Sequence, residues 1–192
     1  FLRGEFALRD NIHIVHGDIL ELQTRELIQP CAPRPTPKAA AGSAPTPHPY
    51  KFVANLPYYI TSAVLRHVLE ATAAPSRAVV MVQEEVARRI CAEPGEMSIL
   101  SVAIQYYAEP RLAFRVPAGA FYPRPNVDSA LLDLVVRPHP ALAAIEGEVD
   151  EARFFALVRA GFGQKRKQLR NSLSAGLHMN KQAVDDLLTV AG

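Results

Sequence analysis

Arg77-Ala78-Val79-Val80-Met81-Val82-Gln83 is the stretch that decides the fold. A near-continuous apolar run of this length is what a strand needs when helices cover both faces of a parallel sheet. On its N-terminal side, Lys51-Phe52-Val53-Ala54 reads as a neighbouring strand. Between the two, residues 61–71 predict a helix, with Val64, Leu65, Val68 and Leu69 on one stripe and Thr61 as its cap. On the C-terminal side, residues 84–92 and 98–107 read as helices, the second with Ile99, Val102, Ala103 and Tyr106 at helical spacing. Residues 111–116 and 129–136 read as two late strands. Far upstream, Ile12-His13-Ile14-Val15-His16 alternates and stops at Gly17-Asp18, the pattern of a short strand and turn. Strands alternating with helices predict an α/β fold with a mainly parallel sheet.

Two segments break this alternation. Seven of the sixteen prolines fall in residues 30–50. Proline fixes φ and removes a donor, so neither a helix nor an inner strand persists there. An exposed loop is expected, with a ligand for a proline-binding module as the functional alternative. Pro138 and Pro140 mark the second break. Beyond them the pattern is helical only, with Phe154, Leu157, Val158, Phe162, Leu169 and Leu173 as one apolar stripe, interrupted by Gly161 and Gly163. Val184, Leu187 and Leu188 suggest a last short helix. The expected organisation is an α/β part over residues 1–137 and a small all-α domain over 138–192.

With 192 residues, of which 49% are hydrophobic and 21% charged, the chain can bury a core. No apolar run approaches the roughly 18 residues of a membrane span. The first residues have no signal-peptide apolar core, so no membrane partner and a cytoplasmic location are expected. The net charge of +2 is too small to imply a polyanionic partner, which leaves local clustering to decide. Cys31 and Cys91 lie far apart, without zinc spacing, and read as reduced thiols; no metal is expected.

The chemistry is concentrated at Asn55-Leu56-Pro57-Tyr58. An exocyclic amino group on an adenine is a poor nucleophile, because its lone pair is delocalised into the ring. Two acceptors fixed at the end of a strand can take both of its N–H bonds and favour a tetrahedral nitrogen. The Asn55 side-chain oxygen and the Leu56 carbonyl are such a pair. Pro57 stiffens the turn and biases Leu56 toward an extended backbone, which aims that carbonyl. Tyr58 offers a ring face on which an extruded base stacks. The plainer reading is a strand-ending turn with a buried tyrosine. Lys165, Arg166, Lys167 and Arg170 place four cations within six residues, suited to phosphate. A solvated helix face or an anchor between the two parts of the chain are the alternatives. Arg124, Arg88, Arg89 and Lys51 are weaker candidates for the same phosphate-binding role.

Five blocks, in order, resemble the ribosomal RNA adenine dimethyltransferases. They are Asn55-Leu56-Pro57-Tyr58-Tyr59-Ile60-Thr61-Ser62, then Val82-Gln83-Glu84-Glu85-Val86-Ala87-Arg88-Arg89-Ile90, then Leu100-Ser101-Val102 with Gln105-Tyr106-Tyr107. Phe121-Tyr122-Pro123-Arg124-Pro125-Asn126-Val127-Asp128-Ser129-Ala130 and Phe162-Gly163-Gln164-Lys165-Arg166-Lys167-Gln168-Leu169-Arg170-Asn171-Ser172-Leu173 complete them. The resemblance implies a Rossmann-like methyltransferase fold, S-adenosylmethionine as methyl donor and small-subunit rRNA in a 30S-type ribosomal precursor as partner, acted on by a monomer. The implied reaction dimethylates the amino groups of two adjacent adenosines near the 3′ end of that RNA. It also implies that Asp18 accepts a hydrogen bond from the donor's adenine, that the Ile19 N–H meets that ring and that Asn55 lies near the donor's methionine part. Phe121 would close on the face of the target base opposite Tyr58. From the residues alone, Asp18 is equally a helix cap for the residues after it, and Phe121 a core or hinge aromatic.

The sequence departs from the family in three places. No Gly-rich turn follows a first strand and no acidic residue follows a second one. The chain therefore reads as an N-terminally incomplete part of a longer protein, inactive alone. The Pro-rich loop is longer than the family leads one to expect, and Met97-Ser98-Ile99 replaces a segment that is often Tyr-Gly-Arg-like. The relatives that methylate large-subunit rRNA share the Asn-x-Pro-Tyr block, while the basic segment after Phe162 favours the small-subunit group. A DNA adenine methyltransferase is disfavoured because no base-reading domain is evident. A non-catalytic RNA-binding ribosome assembly factor on the same fold is the alternative from another class.

Overall fold

The computed structural model describes residues 2–6, 8–28, 49–142, 150–164 and 166–191. Two short helices come first, α1 (Leu2–Glu5) and α2 (Thr24–Ile28). The α/β part then runs β1 (Lys51–Asn55), α3 (Thr61–Leu69), β2 (Arg77–Gln83), α4 (Glu84–Ile90), α5 (Ile99–Tyr107), β3 (Ala108–Val116) and β4 (Ser129–Val136). Three helices follow: α6 (Glu151–Phe162), α7 (Leu169–Gly176) and α8 (Lys181–Ala191). Most of the Pro-rich stretch, with Cys31, lies outside the described residues, as does Lys165.

The strands form one sheet in the order β1-β2-β4-β3. β1 and β2 are parallel, with α3 as the crossover, whereas β4 runs antiparallel to both β2 and β3. The described sheet is thus mixed rather than mainly parallel. The β3–β4 connection carries no α-helix that would cross over the sheet, and the two strands run antiparallel. Pro110 sits in β3, where an edge strand tolerates its missing N–H.

Ala78, Val80 and Val82 of β2 are fully buried and pack with Val64, Leu65 and Val68 of α3, Ile90 of α4 and Ile104 of α5. Each of these valine, leucine and isoleucine side chains contributes roughly 1.5–3 kcal/mol of burial. The opposite face differs from the expectation of two covered faces. Val79 and Met81 are only half-buried, and Val53, beside Val79 in register, is 76% exposed. Polar residues on that face solve their own burial problem. Asp133 of β4 is buried, and its carboxylate accepts Arg77 Nε and Nη2 at 2.7 Å each and Arg111 Nη2 at 2.8 Å. Hydrogen bonds from Arg77, then Arg111, hold the Asp133 carboxyl well below the usual carboxylate range.

Two local expectations fail. Residues 12–16 form no strand; the segment is largely solvent-exposed and no described strand pairs with it, and an alternating pattern without a ladder partner has nothing to hold it extended. Thr61 is not a cap but the first residue of α3. It is buried and donates its hydroxyl to the Pro57 carbonyl at 3.3 Å, behind a 3₁₀ turn at Tyr58–Ile60.

The helices after β4 have a core of their own. Ala160, Leu173 and Val184 are buried together, with Leu177, Met179 and Leu188 around them. Asp150 caps α6 by accepting the Ala152 N–H at 2.9 Å, and Asn180 Oδ1 accepts the Ala183 N–H at 2.7 Å. Gly176 lets α7 close on α6, since a Cβ there would lie 2.5 Å from Ala160 Cβ. Aromatic rings dock this unit on the sheet domain. Tyr106 stacks on Phe154 at 5.2 Å between centroids, Phe155 meets both tyrosines, and Tyr107 donates to Glu151.

Candidate active site

The topology decides where chemistry gathers. β1, β2 and β3 all point the same way, so Asn55, Gln83 and Val116 end at one edge of the sheet. Open α/β sheets bind ligands outside such carboxyl ends. At this edge Asn55, Leu56, Pro57 and Tyr58 line a cleft of roughly 340 Å³ with Phe121, Tyr122, Pro123 and Pro125 from the β3–β4 loop. Residues separated by more than sixty positions are thus brought together, Tyr58 and Phe121 among them.

Asn55 is the last residue of β1 and is exposed, and its side-chain amide makes no hydrogen bond among the described residues. Leu56 is buried and its N–H donates to the Met81 carbonyl at 3.3 Å, which locks the turn onto β2. Nothing among the described residues donates to the Leu56 carbonyl. Pro57 has φ −58° and ψ 132° and opens the 3₁₀ turn. Two neutral acceptors are therefore held free at the strand end. Tyr58 is half-buried, and its hydroxyl lies 2.7 Å from Ser129 Oγ, at the start of β4. Ser129 is completely buried, so the contact fixes the ring against the sheet edge.

Phe121 is half-buried and its loop is tied down at several points. Its N–H donates to the Ala118 carbonyl at 3.3 Å. The Asp128 carboxylate accepts the Ala118 N–H at 2.9 Å and Arg115 Nη2 at 3.1 Å, and the Asp128 carbonyl accepts the Glu84 N–H at 3.0 Å. Arg115 also reaches Glu84 at 2.8 Å, and Glu84 takes Arg88 at 2.7 Å. Hydrogen bonds from Arg88, and then from Arg115, lower the Glu84 pKa. Ser129, Asp128 and Tyr122 were not among the expected site residues. The Tyr58–Ser129 contact spans 71 positions, and no periodicity announces it.

The donor-side candidates are placed less completely. Asp18 Oδ1 accepts the Leu20 N–H at 2.9 Å, the cap-like role weighed above, while its second oxygen has no partner among the described residues. Ile19 and Leu20 pack against the main core, and His67 Nε2 lies 2.9 Å from the Leu22 carbonyl, so this segment is fastened to the sheet domain through α3. An exposed carboxylate with a spare oxygen beside a core-anchored backbone fits the recognition of an adenine amino group. No glycine-rich turn is present among the described residues.

The cations separate into groups. Arg166 and Lys167 are exposed between α6 and α7, and Arg124 is exposed on the Phe121 loop. Arg170 is engaged by Asp185 of α8 at 3.0 Å, so it braces the helical unit internally. It does not anchor that unit to the sheet domain, a role taken by the aromatic cluster. Arg88 and Arg89 are paired with Glu84 and Glu85 one turn away, and Lys51 lies at the far end of β1. A cavity of roughly 410 Å³ at that far end, lined by Glu109, Arg137 and His139 among others, brings no comparable set of free acceptors and rings together. Cys91 is a free thiol whose pKa burial pushes up, in keeping with an inert cysteine.

Comparisons with known proteins follow the same line. The Ribosomal RNA adenine dimethylase family matches residues 1–191. Ribosomal RNA small subunit methyltransferase A of Dehalococcoides mccartyi (strain ATCC BAA-2266 / KCTC 15142 / 195) is 45% identical over 191 residues, covering 100% of this chain and 59% of the relative. The protein of the same name from Moorella thermoacetica is 40% identical, covering 100% of this chain and 62% of the relative. The chain thus spans about three-fifths of the length of these relatives. Among solved structures, the 23S rRNA methyltransferase ErmE superposes with a TM-score of 0.62 at 27% identity, over 91% of this chain and 61% of that one. A dimethyladenosine transferase from Plasmodium falciparum superposes with a TM-score of 0.58 at 24% identity, over 80% and 54%, and shows the likeness of fold. The fold is that of a Rossmann-like methyltransferase, and the chain belongs to the ribosomal RNA adenine dimethylase family.

Proposed function

We propose that the protein carrying this chain transfers methyl groups from S-adenosylmethionine to the exocyclic amino groups of two adjacent adenosines near the 3′ end of small-subunit rRNA. The observation behind this reading is the pair of free acceptors, Asn55 Oδ1 and the Leu56 carbonyl, at a strand end inside a cleft walled by Tyr58 and Phe121. The relatives named small-subunit methyltransferase A support the choice of RNA.

In this reading the donor supplies an electrophilic methyl group; the rest is the work of the chain. Tyr58 and Phe121 hold the extruded adenine between two rings. Asn55 Oδ1 and the Leu56 carbonyl accept the two N–H bonds of its amino group, which draws the lone pair out of conjugation. As its lone pair forms the new N–C bond, the methyl–sulfur bond of the donor would break, its electron pair staying on a sulfur that becomes neutral, and the nitrogen takes up the positive charge. The same two acceptors stabilise that charge without having to reorganise. The N–H proton, now acidic, leaves to water, so no strong base is needed. On the donor side, Asp18 would accept from the donor's adenine, the Ile19 N–H would meet its ring and Asn55 would lie near the methionine part. Lys165, Arg166 and Lys167, with Arg124 and Arg170 at the margin, would neutralise RNA phosphates.

Residues 1–137 would form the catalytic part and 138–192 a helical domain, in a cytoplasmic monomer acting on a 30S-type precursor. The test is incubation of the complete protein with labelled S-adenosylmethionine and unmethylated small ribosomal subunits. Label in dimethyladenosine of the small-subunit rRNA is expected. Binding to that RNA without any methyl transfer would replace this reading with that of an assembly factor.

A further inference from the structure

We propose that Tyr122 forms a second base-stacking subsite, which takes the unpaired nucleobase next to the adenosine held in the cleft, with Arg124 meeting the adjoining phosphate. The inference rests on the proposed function, since it assumes that the cleft accepts an adenosine of single-stranded RNA. Tyr122 is fully exposed, at 102%, yet it lines the same cleft as Asn55 and Tyr58. Neither its ring nor its hydroxyl serves the fold: the ring joins none of the aromatic pairs and the hydroxyl makes no hydrogen bond among the described residues.

A solvated aromatic at a nucleic-acid cleft offers a π-face that accepts any base. This one is presented on a stiff loop. Pro123 and Pro125 restrict the backbone that follows it. Asp128 and the turn at Ala118 fix the two ends of the loop. Little ordering entropy is therefore left to be lost on binding. Phe121 is extended, with φ −114° and ψ 150°, so its side chain and that of Tyr122 project to opposite sides of the backbone. The two rings cannot share one base. Both residues line the cleft, but with the half-buried Phe121 taken by the adenosine inside it, the fully exposed Tyr122 ring at its rim is left for a neighbour. Arg124, exposed two residues on, supplies a cation where the connecting phosphate would run.

The test uses the complete protein and a single-stranded RNA containing two adjacent adenosines, with 2-aminopurine in place of the nucleotide on either side. Binding should quench the fluorescence of the probe on one side. Tyr122→Ala should abolish that quenching and weaken binding about 5- to 100-fold. Tyr122→Phe should keep both, because the stacking face and not the hydroxyl is used. Arg124→Gln should lower the salt dependence by about one phosphate contact. The thermal midpoint of Tyr122→Ala should equal that of the parent, since Tyr122 is fully exposed among the described residues. If the parent binds and Tyr122→Ala binds equally well with unchanged quenching, the subsite is refuted and the reading of the cleft stands. If Phe121→Ala, Tyr58→Ala and the parent are alike in failing to bind, the reading of the cleft falls and takes the subsite with it.

Discussion

Replacing Tyr58 by phenylalanine removes a single oxygen atom, and the structure sets what that costs. The hydroxyl lies 2.7 Å from Ser129 Oγ, and Ser129 has no exposed surface. Without the tyrosine oxygen, the serine hydroxyl has lost a partner in a place that water does not reach. Such an orphaned buried group costs about 1–3 kcal/mol. Ser129→Ala is the milder change. It leaves the Tyr58 hydroxyl, which is only half-buried and sits at an open cleft where water can replace the serine, so about 0.5–1.5 kcal/mol is expected. The double variant has neither oxygen and leaves no orphan. Its cost should fall short of the sum of the singles by about 1 kcal/mol, a coupling that two groups in contact should show. Urea unfolding of the four proteins measures the cycle. The same four proteins assayed for methyl transfer report on ring placement, and Tyr58→Phe should keep more activity than Tyr58→Ala because the stacking face remains. A cycle that sums to zero, with Tyr58→Phe as stable as the parent, would refute the claim that this hydrogen bond fixes the ring.

Other consequences are as direct. Asp133 has a lower pKa in the folded chain than in the unfolded one, so its contribution is complete above about pH 4 and is lost as the pH falls below that. Asp133→Ala should therefore cost about 1–3 kcal/mol at pH 7, where its arginine partners are exposed enough to hydrate, and the gap to the parent should narrow in urea unfolding at pH 3. Gly176→Ala places a methyl group 2.5 Å from Ala160 Cβ and should destabilise the helical unit by about 1–3 kcal/mol in thermal melts, with partial rescue by Ala160→Gly. Exchanging Lys165, Arg166 and Lys167 together for glutamine should weaken RNA binding and flatten its salt dependence, whereas Arg170→Ala should mainly loosen α7 from α8.

The elements that were legible in the sequence are those whose pattern is local. Ala78, Val80 and Val82 recur at period two and Val64, Leu65, Val68 and Leu69 at helical spacing, and each set is buried where its period places it. α5 runs over Ile99–Tyr107, within the predicted 98–107, and Ser98, read there as helical, is its cap, with Oγ accepting the Ser101 N–H at 3.3 Å. What failed depends on partners that sequence spacing does not specify. Residues 12–16 alternate like a strand but meet no described ladder, and β2 has the composition of a strand covered on both faces while one face stays half-open. Within the site, the Asn55–Tyr58 turn was legible because proline and the strand end are local features. The role of Ser129 was not, because a hydroxyl at the start of β4 gains meaning only when Tyr58 folds over it. Arg170 shows the same limit from the other side: a cation in a basic run looks available until α8 brings Asp185 to it.

In the proposed reaction Asn55 acts on the reacting amino group and not on the hold of the RNA. The most direct test is Asn55→Ala in the complete protein, measured for methyl transfer under saturating RNA and, separately, for RNA affinity. Removing one of two preorganised acceptors should lower turnover by about 10²–10³-fold, with the RNA dissociation constant within about threefold of the parent and an unchanged thermal midpoint, because the exposed Asn55 amide has no hydrogen-bond partner among the described residues to lose. Turnover equal to that of the parent, or a loss accounted for entirely by weaker RNA binding, would contradict the account.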